Sequence, residues 1–460
     1  MPKSAVIEDE RSAIREPSGN GAPLYLQLTN MYAPAWGYGG PVRLMFDYAQ
    51  WLSRDFRVVA LTADVHHDFT RMAEKSETLD GVRIHRHKLF FPKLAKKSIY
   101  LHSPGMCVHA AKEIRSARGP CIVHFSELRG LVALYALFLK LLFGKRVTLV
   151  HSAFGSLHYK RGLRRRAYDA VFMKAFIKLV DLRLAQNEHE LETYCGMFRT
   201  YGMVNESRVI LLPLHLERVP CDPARFTESG KNSAAVRSVR RVYGVPEDAL
   251  VFLFLGRLHP AKGILRMIDA YRKFCRSCPR DTLLLIVGRD DGFQAKVEEY
   301  VAGDRAHERI RIINNVYEKR FDYYFLADVF LGFPTIFEET MLASIEAMAC
   351  GTPILVSREA DIPFVEKEQA GRVIDFDVRT AAEAMGTIAE SLPSFQVNAR
   401  RVAAQHFTGD GASKKLGLLL REAISRDLSP VRRSDPEAPA PTPVEDDSCI
   451  ARSAAVASQE

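Results

Sequence analysis

Cysteine is too sparse to staple this chain: eight residues among 460 do not make a disulfide framework. Cys107, Cys121, Cys195 and Cys350 stand in apolar surroundings, which suits a reducing compartment. Cys275-Arg-Ser-Cys278 has no second pair and no histidine at ligand spacing, so no metal site is expected. Long apolar runs are missing too. The longest, residues 131–143, contains Lys140 and falls short of the roughly 20 residues a membrane span needs. Charges at Glu8-Asp9-Glu10-Arg11 interrupt the N-terminus, so no secretory leader is expected. No G-x-G-x-x-G follows a strand and no nucleic-acid module is recognisable, which leaves nucleic acid out of the expected partners.

What is present fits a soluble globular protein. The chain is 47% apolar and 26% charged, enough to bury a full core, and its length implies two or three domains. The net charge of +9 is uneven. Residues 23–200 carry 27 Lys and Arg against 14 Asp and Glu, or +13, whereas residues 201–426 carry 31 against 30, or +1. One half is thus expected to meet something anionic, with a solubilising surface as the plainer reading.

Short apolar runs alternate with helix-length amphipathic stretches. Residues 24–28, 58–62, 122–125, 147–150 and 182–185 read as buried strands, with helices over 42–52, 131–143 and 167–180. The pattern restarts with strands over 251–255, 283–287, 310–313, 329–333 and 354–356 and helices over 264–275 and 342–349. Alternation of this kind predicts an α/β fold of two doubly wound parallel sheets. The expected layout is an N-terminal domain over 23–215, a hinge over 216–245, a C-terminal domain over 246–400 and a helix over 401–426 that packs back across the hinge. Tails over 1–22 and 427–460 are expected to be disordered, the latter because of its proline content. Ligands of such sheets lie beyond the carboxyl ends of the strands, so loops that follow strands are where chemistry is sought.

Four such loops stand out. After the first strand, Trp36-Gly37-Tyr38-Gly39-Gly40-Pro41 precedes a helix, a setting that permits close backbone approach to a phosphate. The strand at 147–150 runs into His151 and Gly155, where an imidazole could meet substrate hydroxyls; His124, ending the preceding strand, has the same pattern. Gly256-Arg257-Leu258-His259-Pro260-Ala261-Lys262-Gly263 follows the first strand of the second series. Its two cations beside a helix start suit a diphosphate. Finally, Glu338 and Glu346 stand eight apart, in a loop and on an apolar helix, and carboxylates accept bonds from vicinal hydroxyls. A basic stretch, Tyr159-Lys160-Arg161-Gly162-Leu163-Arg164-Arg165-Arg166, together with Lys93, Lys96 and Lys97 beside Phe90-Phe91-Pro92, suits an anionic bilayer surface.

Taken together, these loops resemble the retaining glycosyltransferases of family 4, also called group 1 glycosyltransferases. The resemblance spans most of residues 23–426 and is strongest over 251–375. It implies the GT-B architecture, two Rossmann-like domains facing a central cleft, and a cytoplasmic enzyme peripheral to the membrane. The expected donor is a UDP- or GDP-linked sugar, the acceptor lipid-linked or a saccharide, and neither cofactor nor metal is required. By the resemblance Arg257, Lys262 and Gly256 would hold the donor diphosphate, Glu338 the donor sugar and Glu346 the ribose. The backbone of Met341 and Leu342 would reach phosphate, Gly39 and Gly40 would form the facing loop, and His151 would lie near the donor hexose. The chain departs from the family where Glu-Gly-Phe-Gly becomes Glu338-Glu339-Thr340-Met341 and where a hinge Asn-Gly-Val-Asp becomes Leu212-Pro213-Leu214-His215. The lost glycines also keep open a non-catalytic scaffold of the same fold in a polysaccharide assembly complex.

Overall fold

Two parallel sheets organise the chain, as the alternation of strands and helices predicts. The computed structural model describes residues 22–91, 102–158, 163–203, 209–211, 233–302, 308–314, 319–338, 341–360, 362–407 and 409–425. Most of the expected tails and hinge, and basic residues 92–100 and 159–162, lie outside these. By its contacts the chain divides at 424/425, and both sheets lie in the first unit.

The first sheet has eight strands in the order β3-β4-β2-β1-β5-β6-β7-β8. They are β1 (Leu24–Leu28), β2 (Arg57–Ala63), β3 (Ser76–Leu79), β4 (Val82–His87), β5 (Cys121–Phe125), β6 (Val147–Ser152), β7 (Leu182–Ala185) and β8 (Val209–Leu211). Between them run α1 (Gly40–Leu52), α2 (Pro104–Ser116), α3 (Leu131–Phe143), α4 (Leu163–Leu179) and α5 (Glu188–Thr200). The central strands β1 and β5 are buried along their whole length because helices cover both faces.

One pairing departs from the all-parallel expectation: β3 runs antiparallel to β4 at the edge. These strands escape a search for apolar runs because β4 alternates buried and exposed residues. The signal that would have found them is Asp80-Gly81, a two-residue loop with both φ angles positive, as tight hairpins require.

The second sheet, ordered β11-β10-β9-β12-β13-β14, is entirely parallel. It contains β9 (Leu250–Leu255), β10 (Thr282–Val287), β11 (Ile310–Ile313), β12 (Val329–Gly332), β13 (Ile354–Ser357) and β14 (Gly371–Ile374). Its helices are α6 (Ala234–Val242), α7 (Ile264–Ser277), α8 (Gln294–Ala302), α9 (Arg320–Leu326), α10 (Leu342–Ala349), α11 (Val378–Glu390), α12 (Leu392–His406) and α13 (Gly409–Ser425). Alternate residues feed two cores, Val251 and Leu253 on one face, Leu250, Phe252 and Phe254 on the other. That is the period-two pattern of a strand covered on both sides. Part of the stretch read as hinge is helical: Val236 and Val239 of α6 join the core of Val251 and Leu253. The last helix, α13, reaches back to the first sheet's side, where Arg421 pairs with Asp55 at 3.1 Å and lies over the ring of Phe56.

Candidate functional site

The loop after β9 is tied by its backbone to the end of β10 and to the loop after β12, which is tied in turn to the segment after β13. Gly256 N–H donates to Val287 O at 3.0 Å, and Thr335 N–H donates to Ala261 O at 2.9 Å. Glu338 N–H donates to Glu359 O at 2.6 Å. Gly263 is the tightest point: its φ is +65°, and a Cβ there would stand 1.8 Å from Phe333 O. Only glycine fits such a left-handed, crowded position. Arg266, one turn into α7, fastens the same corner by donating from Nε to Phe333 O at 2.8 Å and from Nη2 to Pro334 O. Its guanidinium also stacks on Phe376 at 4.3 Å.

Several residues singled out from the sequence meet in this corner. Lys262 Nζ forms an ion pair with Glu338 Oε1, which joins the loop after β9 to the loop after β12. Gly256 and Arg257 open the same loop. Arg257 is half exposed and reaches Asp291, beyond β10, at 2.6 Å. Met341 caps α10 without a side-chain hydrogen bond. Across the cleft, Gly39 (φ +114°) leads into α1, and a Cβ on Gly40 would lie 3.1 Å from Leu342 Cδ1. The starts of α1 and α10 therefore face each other, and free N–H groups at both suit an anion. Leu44 of α1 is buried with the core of Val251 and Leu253, and Phe154, from the loop after β6, packs against it. His189 of α5 packs against Phe337, ring centroids 3.9 Å apart and planes tilted by 36°. Glu339 and Thr340 lie outside the described residues.

Glu346 has a partner that the sequence did not reveal. Arg320 of α9 donates from Nε to both carboxylate oxygens at 3.1 Å and from Nη2 to Oε1 at 2.9 Å. The Tyr324 hydroxyl donates to Oε2 at 3.0 Å. Each oxygen thus accepts from two donors, which fills the roughly four lone-pair directions of a carboxylate, and this pairing explains how a charge tolerates an apolar helix.

His151 does not reach the cleft, contrary to the sequence expectation. It is fully buried in the first domain, its Nδ1 hydrogen-bonded to the Tyr194 hydroxyl at 2.7 Å and its ring packed on Phe125 and Phe176. Burial holds its pKa well below the ordinary histidine value. The alternation of β6 turns this side chain inward, under α4 and α5. Its rival His124 is equally buried, hydrogen-bonded to Tyr25 and Ser152.

Glu127, two residues beyond β5, was not singled out although it obeys the same loop-after-strand rule. Its Oε1 accepts from Asn30 N–H at 3.0 Å, while its buried Oε2 has no hydrogen-bond partner among the described residues. Burial pushes its carboxyl up to about 7.

Comparison with known proteins bears on the fold and on the second domain. Residues 249–391 match the family model described as glycosyl transferases group 1. A D-inositol 3-phosphate glycosyltransferase of Corynebacterium diphtheriae is 30% identical over 201 residues, covering 41% of this chain and 46% of that one. The chain spans about half the length of the curated relatives it matches. Among solved structures, sucrose-phosphate synthase from Thermosynechococcus elongatus superposes with a TM-score of 0.66 at 17% identity, over 88% of this chain and 100% of that one. HepE of Anabaena, in complex with UDP and glucose, gives 0.63 at 13%, over 88% and 100%. The fold is that of the GT-B glycosyltransferases.

Proposed function

We propose that this chain is a retaining glycosyltransferase that moves a hexose from a UDP- or GDP-sugar to a lipid-linked or saccharide acceptor at an anionic membrane surface. The observation that carries the reading is the Lys262–Glu338 ion pair, set in clasped loops opposite Gly40. Two groups of opposite charge are held there, one suited to a diphosphate and one to sugar hydroxyls. On donor binding Lys262 turns to the diphosphate beside Arg257, and Glu338 is released to the hydroxyls of the sugar. Backbone N–H groups of Met341 and Leu342 and the Gly39-Gly40 loop face the same phosphates. Glu346, oriented by Arg320, exchanges part of this pairing for the ribose hydroxyls when the donor binds.

Arg257, Lys262 and the helix starts then stabilise charge on the departing nucleoside diphosphate, a preorganised electrostatic role that calls for no metal. The donor's own phosphate takes the proton of the acceptor hydroxyl, so configuration is retained without a protein nucleophile. His151 has no part in this scheme, being sealed in the first domain.

Isothermal titration with UDP, GDP and ADP tests the site. Arg257→Ala and Lys262→Ala are each expected to weaken nucleotide binding about 10- to 100-fold, as loss of a charge-assisted hydrogen bond does. Glu338→Ala should tighten UDP, because Lys262 loses its internal competitor, and should abolish sugar transfer. Unchanged affinity in the two cation variants would sink the site. Binding without turnover of any donor in a mass-spectrometric panel would point instead to the scaffold reading.

A further inference from the structure

Helices α2, α3 and α4 lie side by side over one face of the first sheet, with α3 touching both neighbours. Their inward residues fill the first core; their outward residues are unusual for a soluble surface. Along α3, Phe138, Leu141 and Leu142 are 54%, 70% and 52% exposed, at the i, i+3, i+4 spacing of one helical stripe. Val108 of α2 and Val171 of α4 are exposed beside it. The apolar surface continues past α3's first turns. Tyr135 hydrogen-bonds His102 at 3.1 Å, His102 pairs with Phe90 through the backbone, and Phe90 and Phe91 are both exposed.

The charges on this face have one sign. Lys112 and Arg115 share the exposed stripe of α2, Lys174 and Lys178 that of α4, and Arg118 and Arg146 stand exposed at the far end. The three helices contain only two acids, Glu113 and Asp169. Both are occupied: Arg57 donates to Glu113 at 2.6 Å, and Arg129 holds Asp169 through two bonds of 2.7 and 3.0 Å. Exposed apolar side chains flanked by cations match a bilayer whose headgroups are anionic and whose acyl region lies just beneath. A second copy of the chain is a poor occupant, because facing two such surfaces sets like charges together.

We infer that the outer face of α2, α3 and α4 docks on an anionic lipid surface, with the side chains of Phe138, Leu141 and Leu142 entering the headgroup layer. The inference places the membrane contact on a surface beyond the basic stretch at 159–166, and it deepens the reading of a lipid-linked acceptor given above. Helices α2 and α3, of 13 residues each, are about 20 Å long, so the face covers many headgroups at once.

Sedimentation of the full chain with vesicles tests it. The chain is expected to pellet with phosphatidylcholine vesicles containing about one-third phosphatidylglycerol, to stay in solution with pure phosphatidylcholine, and to detach as salt rises. Lys174→Gln with Lys178→Gln should weaken binding about 30-fold. Leu141→Gln with Leu142→Gln should weaken it roughly tenfold or more. All four side chains are exposed and glutamine is a good helix former, so the variants keep the fold. Absence of pelleting, equal binding to neutral vesicles, or full binding by both double variants would overturn the inference. So would a dimer in analytical ultracentrifugation that the same variants dissociate. Sedimentation needs no turnover, so the lipid contact and the transfer reading can fail separately.

Discussion

Glu127 is a single residue with two oxygens in unequal positions, one accepting from Asn30 and one buried without a partner among the described residues. Its folded-state pKa of about 7 lies above its ordinary 4.5, so the native state binds the proton more tightly than the unfolded chain does. Stability is therefore unaffected below the unfolded value and declines as pH rises from about 4.5 to 7, by up to about 3 kcal/mol. Glu127→Gln keeps the acceptor for Asn30 and cannot ionise; it should remove that decline, as read by urea unfolding at pH 5 and pH 8. His124 has the opposite sign, since burial pushes it down to about 3. Its contribution is complete above the unfolded value near 6.5 and is lost as pH falls. Glu346 supplies a third test at this scale. Arg320→Met leaves its carboxylate largely buried without its counter-ion and should cost about 3 kcal/mol or more, whereas the double change Arg320→Met with Glu346→Gln should recover much of it.

Among elements, the turn from β9 into α7 bears the closest packing of the site. Gly263→Ala would place a methyl against Phe333 O at a left-handed φ, and a loss of at least about 2 kcal/mol is expected in denaturant unfolding, together with weaker nucleotide binding. The residues of this corner illustrate what can be read from one chain. Gly256, Arg257, Lys262 and Glu338 were legible because each follows an apolar strand, where open sheets place ligands. Arg266, Asp291 and Arg320 were not, because their partners stand 67, 34 and 26 residues away and meet only once the strands are in order. The central strands were visible as continuous apolar runs, and α3 and α10 end where the sequence pattern ends. Hairpin β3–β4 and short β8 were hidden, the first by alternation with polar residues, the second by its length of three residues. His151 was misread for a related reason: a strand's last residues alternate in direction, and the loop rule alone does not say which way one points.

At the scale of the whole molecule, α13 couples the chain's late residues to its first sheet. Leu416 and Leu420 are fully buried, and Arg421 reaches Asp55 and Phe56. Removing residues from 409 onward should therefore destabilise the protein by several kcal/mol, about 2–5 for each leucine lost from its packing, measured as a lower thermal midpoint. The exposed Arg421–Asp55 pair by itself should matter little, at most about 1 kcal/mol.

The near contact between Gly40 and Leu342 has a wider meaning in this frame. The hydrogen on Gly40 is the spacer between two halves, and its small size fixes how nearly they can meet. A methyl at position 40 would press on Leu342 Cδ1 and a longer group would hold the two halves further apart. Ligands gripped by one half would still bind, and ligands that must be gripped by both would not. The smallness of Gly40 thus works as a gauge of reach, bearing on how large a molecule the two jaws can jointly hold.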